Sequence, residues 1–179
     1  MTGTTLVEQT SKVKTKKKSE VLGWIRFGLL LISIYVFFNY VIGLSIISGD
    51  SMNPTFETND VILSSKVFNE YQRDDVVIFN NEYGFSVVKR VIGVPGDTVA
   101  IQNGQVLLNG SVLEEAYTTG TPDDIAAVEV TGNAYFVMGD NRTPGESLDS
   151  RSAEVGLVPA YMVEGKVLMS LMPFQFSVK

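Results

Sequence analysis

The chain has 179 residues, with no cysteine and no histidine. These absences exclude a disulfide framework, a thiol nucleophile, zinc or haem sites with Cys or His ligands, and a Ser-His-Asp triad. The net charge of -6 is uneven: residues 1–26 carry six basic and two acidic side chains, whereas residues 48–179 carry 8 basic and 18 acidic ones. So acidic a region disfavours nucleic-acid binding, because the phosphate backbone repels it.

The first 47 residues divide into a polar tail and a long apolar segment. Residues 1–20 are rich in Thr, Lys and Ser, which predicts a disordered basic tail. Residues 27–47 contain no charged side chain, and at roughly 1.5 Å per residue they are long enough to cross a hydrocarbon core. The apolar core of a cleaved signal peptide is usually about 7–15 residues. We therefore predict a retained transmembrane signal-anchor helix over residues 21–47.

The charges on either side of this segment predict its orientation. Lysines cluster before it and acidic residues follow it, so the positive-inside rule puts the N-terminus in the cytoplasm. The prediction is a single-pass protein of the cell membrane, with residues 48–179 forming an extracellular domain.

The residues after the apolar segment are typical of a mostly β domain. Runs of branched and aromatic residues predict strands near 60–65, 75–79, 84–93, 97–102, 134–138 and 165–170. Asn103-Gly104 and Asn109-Gly110 lie between apolar runs and predict tight hairpins. Strands so closely spaced favour an antiparallel, barrel-like or coiled β domain over alternating strands and helices.

Ser51 lies in a loop just after the apolar segment, between Gly49 and Pro54. Loops on a rigid scaffold often carry reactive groups, although a Ser-Met pair beside a proline is in most proteins only a loop. If Ser51 is a nucleophile, its base must be a lysine, a tyrosine or a carboxylate, because the chain has no imidazole. The adjacent Met52 fits a substrate groove, a lipid contact or core packing.

Lys89 lies inside a predicted strand of branched apolar residues. The strand period of two puts Val87 and Lys89 on one face and Val88 and Arg90 on the other. Burial of the ammonium group lowers the pKa of a lysine from about 10.4, by as much as several units, and so supplies a neutral amine near pH 7. The alternatives are a lysine that extends to solvent or pairs with a carboxylate. Arg90 stays protonated and is excluded as a base.

A third polar cluster follows the strand predicted at 134–138. Residues 139–151 hold two arginines, two aspartates, one asparagine and two serines. An Asp149–Arg151 ion pair would fix this loop, and a serine hydroxyl within it would orient a lysine amine. The alternative is a polar turn whose surface ion pairs contribute little energy.

Together these blocks resemble the type I bacterial signal peptidases, membrane-bound serine proteases that remove signal peptides from exported proteins. The resemblance covers residues 20–179 and is carried by residues 48–55, 73–79, 89–97, and 139–142 followed by 147–151. It implies a Ser-Lys dyad with Ser51 as nucleophile and Lys89 as general base. The Ser51 backbone N–H is implied as an oxyanion donor, Ser147 as the hydroxyl that holds the lysine amine, and Asp149 with Arg151 as the supporting pair.

Two further residues are assigned to substrate binding, and the chain departs from the family's sequence pattern at two places. Met52 and Val87 are predicted to line the substrate groove. Some family members have a serine two positions before the nucleophile as a second oxyanion donor, whereas this chain has Gly49, in the Gram-positive style. The segment from Arg142 to Ser147 is about two residues longer than the family spacing, and its Pro-Gly turn is able to absorb such an insertion.

The resemblance also implies substrates and partners. The substrates are preproteins, cleaved after small residues at two specificity positions, and the lipid bilayer and the secretion translocase are the implied partners. No metal, organic cofactor or nucleic acid is implied. Two alternatives remain: a self-cleaving repressor-like peptidase, which the membrane segment and the acidic domain disfavour, and a signal-peptidase-like assembly factor for a surface structure such as a pilus.

Overall fold

The structure, a computed structural model, describes the backbone of residues 3–81 and 84–175 and the side chains of 20–81 and 84–175. The chain forms two compact units, Met1–Val41 and Ile42–Lys179. The first contains one helix and the second is built almost entirely of antiparallel strands, which confirms the predicted fold class.

The helix, α1, spans Gly3–Tyr40, and it corrects the prediction of a disordered tail over residues 1–20. The backbone of residues 3–20 is helical, while residues 1 and 2 lie outside the described part. Lys, Glu and Gln have high helix propensity. Extending a helix that has already formed requires no second nucleation, so a polar segment continues an apolar helix readily.

The end of α1 corrects the predicted span of 21–47. Its last turn closes with the Val41 N–H donating to Phe37 O (3.0 Å), and residues 42–46 form a strand instead. Glu20–Tyr40 is the part of the described chain that is long and apolar enough to cross a membrane, with 21 residues and a mean hydropathy of 2.1. Branched apolar residues suit a strand as well as a helix, so apolarity alone did not locate this boundary.

The described residues of the second unit form twelve strands in two sheets. The larger sheet has the order β1-β2-β11-β3-β4-β9-β10, with β12 paired to β11, and the smaller has the order β7-β6-β5-β8. The strands are β1 Ile42–Ile46, β2 Val61–Ser65, β3 Val76–Asn80, β4 Ser86–Gly93, β5 Thr98–Gln102, β6 Gln105–Leu108, β7 Ser111–Val112, β8 Ile125–Glu129, β9 Ala134–Met138, β10 Val158–Pro159, β11 Val163–Met172 and β12 Phe174–Gln175. A 3-10 helix covers Ala160–Met162.

Both predicted Asn-Gly hairpins are confirmed. Asn103 and Gly104 connect β5 to β6 with φ values of 51° and 72°, and Asn109 and Gly110 connect β6 to β7 with 53° and 80°. A two-residue turn with positive φ at both positions matches the right-handed twist of the strands it joins.

The pairing of β4 leaves one part of the larger sheet with an unpaired strand edge. β3 pairs with β4 along its first half, from Ser86 to Arg90. On the other side β9 pairs with β4 only from Arg90 onward, where Arg90 is opposite Met138. Within the described residues, residues 86–88 therefore have one unpaired edge, which ends at Lys89.

Candidate active site

Ser51 lies in the loop between β1 and β2, and buried side chains anchor that loop. Ile47 closes its base, since the Ile47 N–H donates to Asp60 O (2.8 Å) and Ile47 O accepts from the Asn59 N–H (2.9 Å). Met52 and Phe56 are buried in the core of the β unit. Ser51 directly precedes Met52 and is partly exposed at the surface of a cavity.

Lys89 reaches this serine from β4. Its side chain is only 2% exposed. Its Nζ donates to Ser51 Oγ at 2.7 Å and to the backbone carbonyl of Val88 at 2.9 Å. Two residues 38 positions apart in the sequence thus have their reactive atoms in contact.

Burial changes the protonation of this lysine. Desolvation lowers the pKa of Lys89 from 10.5 to about 8, although the nearby carboxylates of Asp149 and Asp140 oppose the shift. A substantial fraction of Lys89 is then a neutral amine under mildly alkaline conditions, which is the form that accepts a proton.

Asp149, behind Lys89, accepts hydrogen bonds from four groups. The guanidinium of Arg151 donates twice, from Nε (2.8 Å) and Nη2 (2.7 Å), and the Arg151 backbone N–H donates at 3.2 Å. The Gly139 N–H donates at 2.9 Å and the Ser147 hydroxyl at 2.7 Å. Burial by itself raises the pKa of Asp149, but the bonds from Arg151 outweigh it and hold that pKa below its usual value. Asp149 is therefore a fixed negative charge beside Lys89.

The structure places Ser147 differently from the direct lysine contact that the resemblance implies. Its hydroxyl donates to Asp149, and in the described part of the chain Lys89 donates to Ser51 and Val88 instead. Gly139 explains how closely these segments pack, because a Cβ there would collide with Ser147 Oγ and with Ser51 O. Only glycine permits that approach.

The sequence reasoning missed a second carboxylate that joins the same loops. Asp140 accepts from Arg90 Nε (2.9 Å), from Arg90 Nη2 (2.5 Å) and from the Thr55 hydroxyl (2.5 Å). Both Arg90 and Asp140 are fully buried. Thr55 lies in the same loop as Ser51, and Arg90 directly follows Lys89. The hydrogen bonds to Asp140 therefore connect the loop of Ser51 to the strand of Lys89. The signal was available, since all three residues lie in the recognised sequence blocks.

A further ion pair, between Arg142 and Glu115, was also missed. Arg142 Nη1 and Nη2 each lie 2.6 Å from a carboxylate oxygen of Glu115. Glu115 lies in an acidic stretch without a motif, so nothing local identified it.

A cavity of about 350 Å³ opens in front of the serine and the lysine. Met52 and Val87, the two predicted groove residues, both line it. Met52 is 1% exposed, so it forms part of the core as well as the cavity wall. The lining residues are Ile46, Ile47, Ser48, Gly49, Asp50, Ser51, Met52, Ser86, Val87, Val88, Lys89, Glu146 and Leu148. Within the described residues, no group of three or more His, Cys, Asp or Glu is arranged to hold a metal ion.

Comparison with known proteins gives a consistent result. The family model for signal peptidase, peptidase S26, matches residues 21–172. The chain is 33% identical over 181 residues to signal peptidase I of Bacillus amyloliquefaciens, covering 93% of this chain and 96% of that relative. It is 32% identical over 174 residues to signal peptidase I S of Bacillus subtilis (strain 168), covering 88% and 92%.

A crystal structure of a signal peptidase I from Enterococcus faecalis V583 is 32% identical and matches 54% of this chain and 96% of its own, with a TM-score of 0.46. The family match over residues 21–172 and the two Bacillus relatives show that the chain belongs to the signal peptidase family, peptidase S26.

Proposed function

We propose that this protein is a membrane-anchored serine endopeptidase that removes N-terminal signal peptides from exported preproteins. Ser51 is the nucleophile and Lys89 is the general base. The observation that carries the proposal is the 2.7 Å contact between Ser51 Oγ and the Nζ of a buried lysine, in a chain that belongs to the signal peptidase family.

In the acylation step, neutral Lys89 accepts the hydroxyl proton of Ser51 while Ser51 Oγ attacks the scissile carbonyl carbon. The backbone N–H of Ser51 donates to the oxyanion that forms. The tetrahedral intermediate collapses, the C–N bond breaks, and protonated Lys89 returns its proton to the departing amine. The products are the free mature N-terminus and an ester between the signal peptide and Ser51.

Deacylation repeats the same proton movements with water. Lys89, neutral again, accepts a proton from a water molecule whose oxygen attacks the ester carbonyl. The C–O bond to Ser51 breaks, and the proton on Lys89 passes to Ser51 Oγ. The signal peptide leaves with a free carboxylate. Asp149, held by Arg151, supports Lys89 from behind through its charge and through the packing of its loop.

Substrate binding by strand addition is supported by the unpaired edge of residues 86–88. An extended peptide would hydrogen-bond to this edge and present its scissile bond where the edge ends, at Lys89. A cavity of about 350 Å³, walled by Met52 and Val87, has room for the substrate side chains beside the scissile bond.

The helix Glu20–Tyr40 supports a role as membrane anchor. We infer that the lysine-rich segment before this helix faces the cytoplasm of the cell and that residues 42–179 work outside, with the bilayer and the secretion translocase as partners. An anchored enzyme meets an anchored preprotein in two dimensions, which raises the effective concentration.

The test is cleavage of a labelled preprotein by the detergent-solubilised full chain, with N-terminal sequencing of the product. Ser51→Ala and Lys89→Met are assayed alongside, and circular dichroism checks that both remain folded. Cleavage after the signal peptide by the parent, with both variants inactive, supports the proposal. An inactive parent would favour the assembly-factor role, and an active Lys89→Met variant would require another base.

A further inference from the structure

We propose that Asn141 is a positioning residue that aims the oxyanion-donating N–H of Ser51 at the substrate. The inference rests on the proposed function, since it assigns a residue to the oxyanion step of that reaction. Asn141 touches neither the substrate carbonyl nor Ser51 Oγ in this scheme; it acts through the backbone on both sides of the nucleophile.

Asn141 holds the two backbone carbonyls that flank the Ser51 side chain. Its backbone N–H donates to Ser51 O at 3.0 Å, and its side-chain Nδ2 donates to Asp50 O at 3.2 Å. The first bond fixes the peptide group after Ser51 and the second fixes the peptide group before it. One residue from the loop after β9 therefore brackets the nucleophile.

The peptide group before Ser51 is the one that carries the oxyanion donor. A trans peptide is planar, with its C=O and N–H pointing in opposite directions. Fixing the direction of Asp50 C=O therefore fixes the direction of the Ser51 N–H. A hydrogen bond accepted by the carbonyl also polarises the N–H of the same peptide and makes it a stronger donor.

The Ser51 N–H is available for this task. Within residues 3–81 and 84–175 it donates to no protein acceptor, whereas the Gly49 N–H, two positions earlier, donates to Thr58 Oγ1 at 3.1 Å. Gly49 has a φ of +99° and no Cβ, so sterics on that side restrain the loop weakly. External hydrogen bonds must supply the restraint.

Asn141 is itself held firmly enough to act as a reference point. It is 9% exposed, and its Oδ1 accepts from the Thr143 N–H at 3.2 Å. The neighbouring backbone is tied to Thr119, whose N–H donates to Asp140 O (3.0 Å) and whose carbonyl accepts from the Arg142 N–H (2.7 Å). Because its own position is fixed, Asn141 is able to hold the backbone on both sides of Ser51 in one orientation.

The expected effect is partial, because Asp50 O also accepts from the Asn53 N–H at 3.1 Å. Removing an entire oxyanion donor typically lowers kcat by about 10²–10³-fold. Removing only the bond that orients the donor should cost less, so we expect Asn141→Ala to lower kcat about tenfold, with KM changed less than about twofold. Asn141→Asp keeps an acceptor for the Thr143 N–H but adds negative charge near the oxyanion, so its loss should be at least as large.

The matched control is Asn109→Ala, which removes a different side-chain amide contact, from Asn109 Nδ2 to Asp97 Oδ1 (2.9 Å), away from Ser51. All variants are assayed well below their melting temperatures, on the full chain in detergent. A second readout is a peptide aldehyde, which forms a tetrahedral adduct with Ser51 and so uses the oxyanion donor. Its affinity should fall by the same factor as kcat/KM in Asn141→Ala and stay unchanged in Asn109→Ala.

Ground-state binding provides the third arm. In the Ser51→Ala background, the uncleaved substrate peptide should bind equally well with and without Asn141→Ala. Three results for Asn141→Ala would overturn the inference: an unchanged kcat, a loss that appears only in KM, or an equal loss in Asn109→Ala. The proposed function would still stand in that case, provided that Ser51→Ala and Lys89→Met are inactive. Activity in those two variants would instead overturn both.

Discussion

Two aspartates in the β unit are held in nearly the same way, and only one of them lies beside the reactive residues. Asp149 accepts from Arg151 Nε (2.8 Å) and Nη2 (2.7 Å), from a backbone N–H and from a side-chain hydroxyl. Asp97 accepts from Arg73 Nε (2.9 Å) and Nη2 (2.5 Å), from a backbone N–H and from a side-chain amide. Each is a buried carboxylate in a bidentate pair with an arginine.

The difference lies in what shares their surroundings. Asp149 acts on the charge of Lys89, and its other partners belong to the loop that packs under Ser51. Asp97 fixes the turn before β5 and has half-exposed Arg73 as its main partner. In the proposed mechanism, the same ion-pair chemistry thus supports catalysis in one place and stability alone in the other, so a motif containing Asp and Arg does not identify a site by itself.

Replacing each aspartate by asparagine should separate the two roles most sharply. Asp149→Asn leaves the mostly buried Arg151 side chain (12% exposed) with an uncompensated charge, and breaking a buried pair in this way commonly costs about 3–5 kcal/mol. We expect kcat/KM on a preprotein to fall by about 100-fold or more, while Asp97→Asn stays within about twofold of the parent. Both are measured at low temperature on folded protein. Equal losses in the two variants would refute the division of roles.

The pH dependence of the rate should follow the same division. With the pKa of Lys89 lowered to about 8, the neutral base is lost as pH falls, so kcat/KM should decrease about tenfold per pH unit well below pH 8. Asp149 raises the pKa of Lys89 through its charge, so the residual activity of Asp149→Asn should have its midpoint at lower pH. The midpoint of Asp97→Asn should not move. A parent profile that is flat between pH 6 and 9 would argue against Lys89 as base.

For Asp97 the expected effect is on stability. Burial opposes the shift, but hydrogen bonds from Arg73, Asn109 and the Val94 N–H lower the pKa of Asp97 from 3.8 to about 2. The depressed pKa contributes at most about 2 kcal/mol to the free energy of unfolding, less some solvent screening at Arg73.

The sign of this contribution fixes its pH window. A carboxylate with a lower pKa in the folded state stabilises the fold above its unfolded pKa, and the contribution disappears as pH falls through about 2. Asp97→Asn should therefore be less stable than the parent by about 1–2 kcal/mol at pH 7, and the gap should narrow between about pH 4 and 2. Urea unfolding in detergent across that range measures it. A gap that is constant down to pH 2 would show that the lost stability does not come from the carboxylate charge.

Much of the β unit was predictable because its signals are local. Branched runs located strands such as β3 and β9, and the Asn-Gly pairs at 103–104 and 109–110 located two hairpins. The end of α1 was not predictable from apolarity, since residues 42–46 are equally suited to a membrane helix and to a strand. Residues 42–46 form a strand because they pair with β2. That partner lies about 20 residues later in the chain, so the local sequence around 42–46 does not reveal the pairing.

In the candidate site, too, some features were predictable from the sequence and others depend on tertiary packing. The sequence blocks identified Ser51 and Lys89, and the structure adds the distance between them. Thr55, Arg90 and Asp140 lie in the recognised sequence blocks, but they are 35 to 85 positions apart. Only tertiary packing therefore shows that they are hydrogen-bonded to one another. The partner of the Ser147 hydroxyl was also not predictable from the sequence. A hydroxyl at this position is able either to donate to Asp149, two residues later, or to orient the Lys89 amine across the site.

Ser147 gives the smallest expected effect and the finest test of the comparison. Its hydroxyl is one of four donors to Asp149, so Ser147→Ala removes one hydrogen bond, typically about 1 kcal/mol, and leaves the bidentate Arg151 pair intact. We expect kcat/KM to fall only about fivefold, with the midpoint of the pH profile close to that of the parent. If the hydroxyl instead held the lysine amine directly, its removal would free Lys89 to rotate and would cost far more than fivefold in kcat. A loss as large as that of Asp149→Asn, with a displaced midpoint, would therefore assign Ser147 to the lysine rather than to the aspartate.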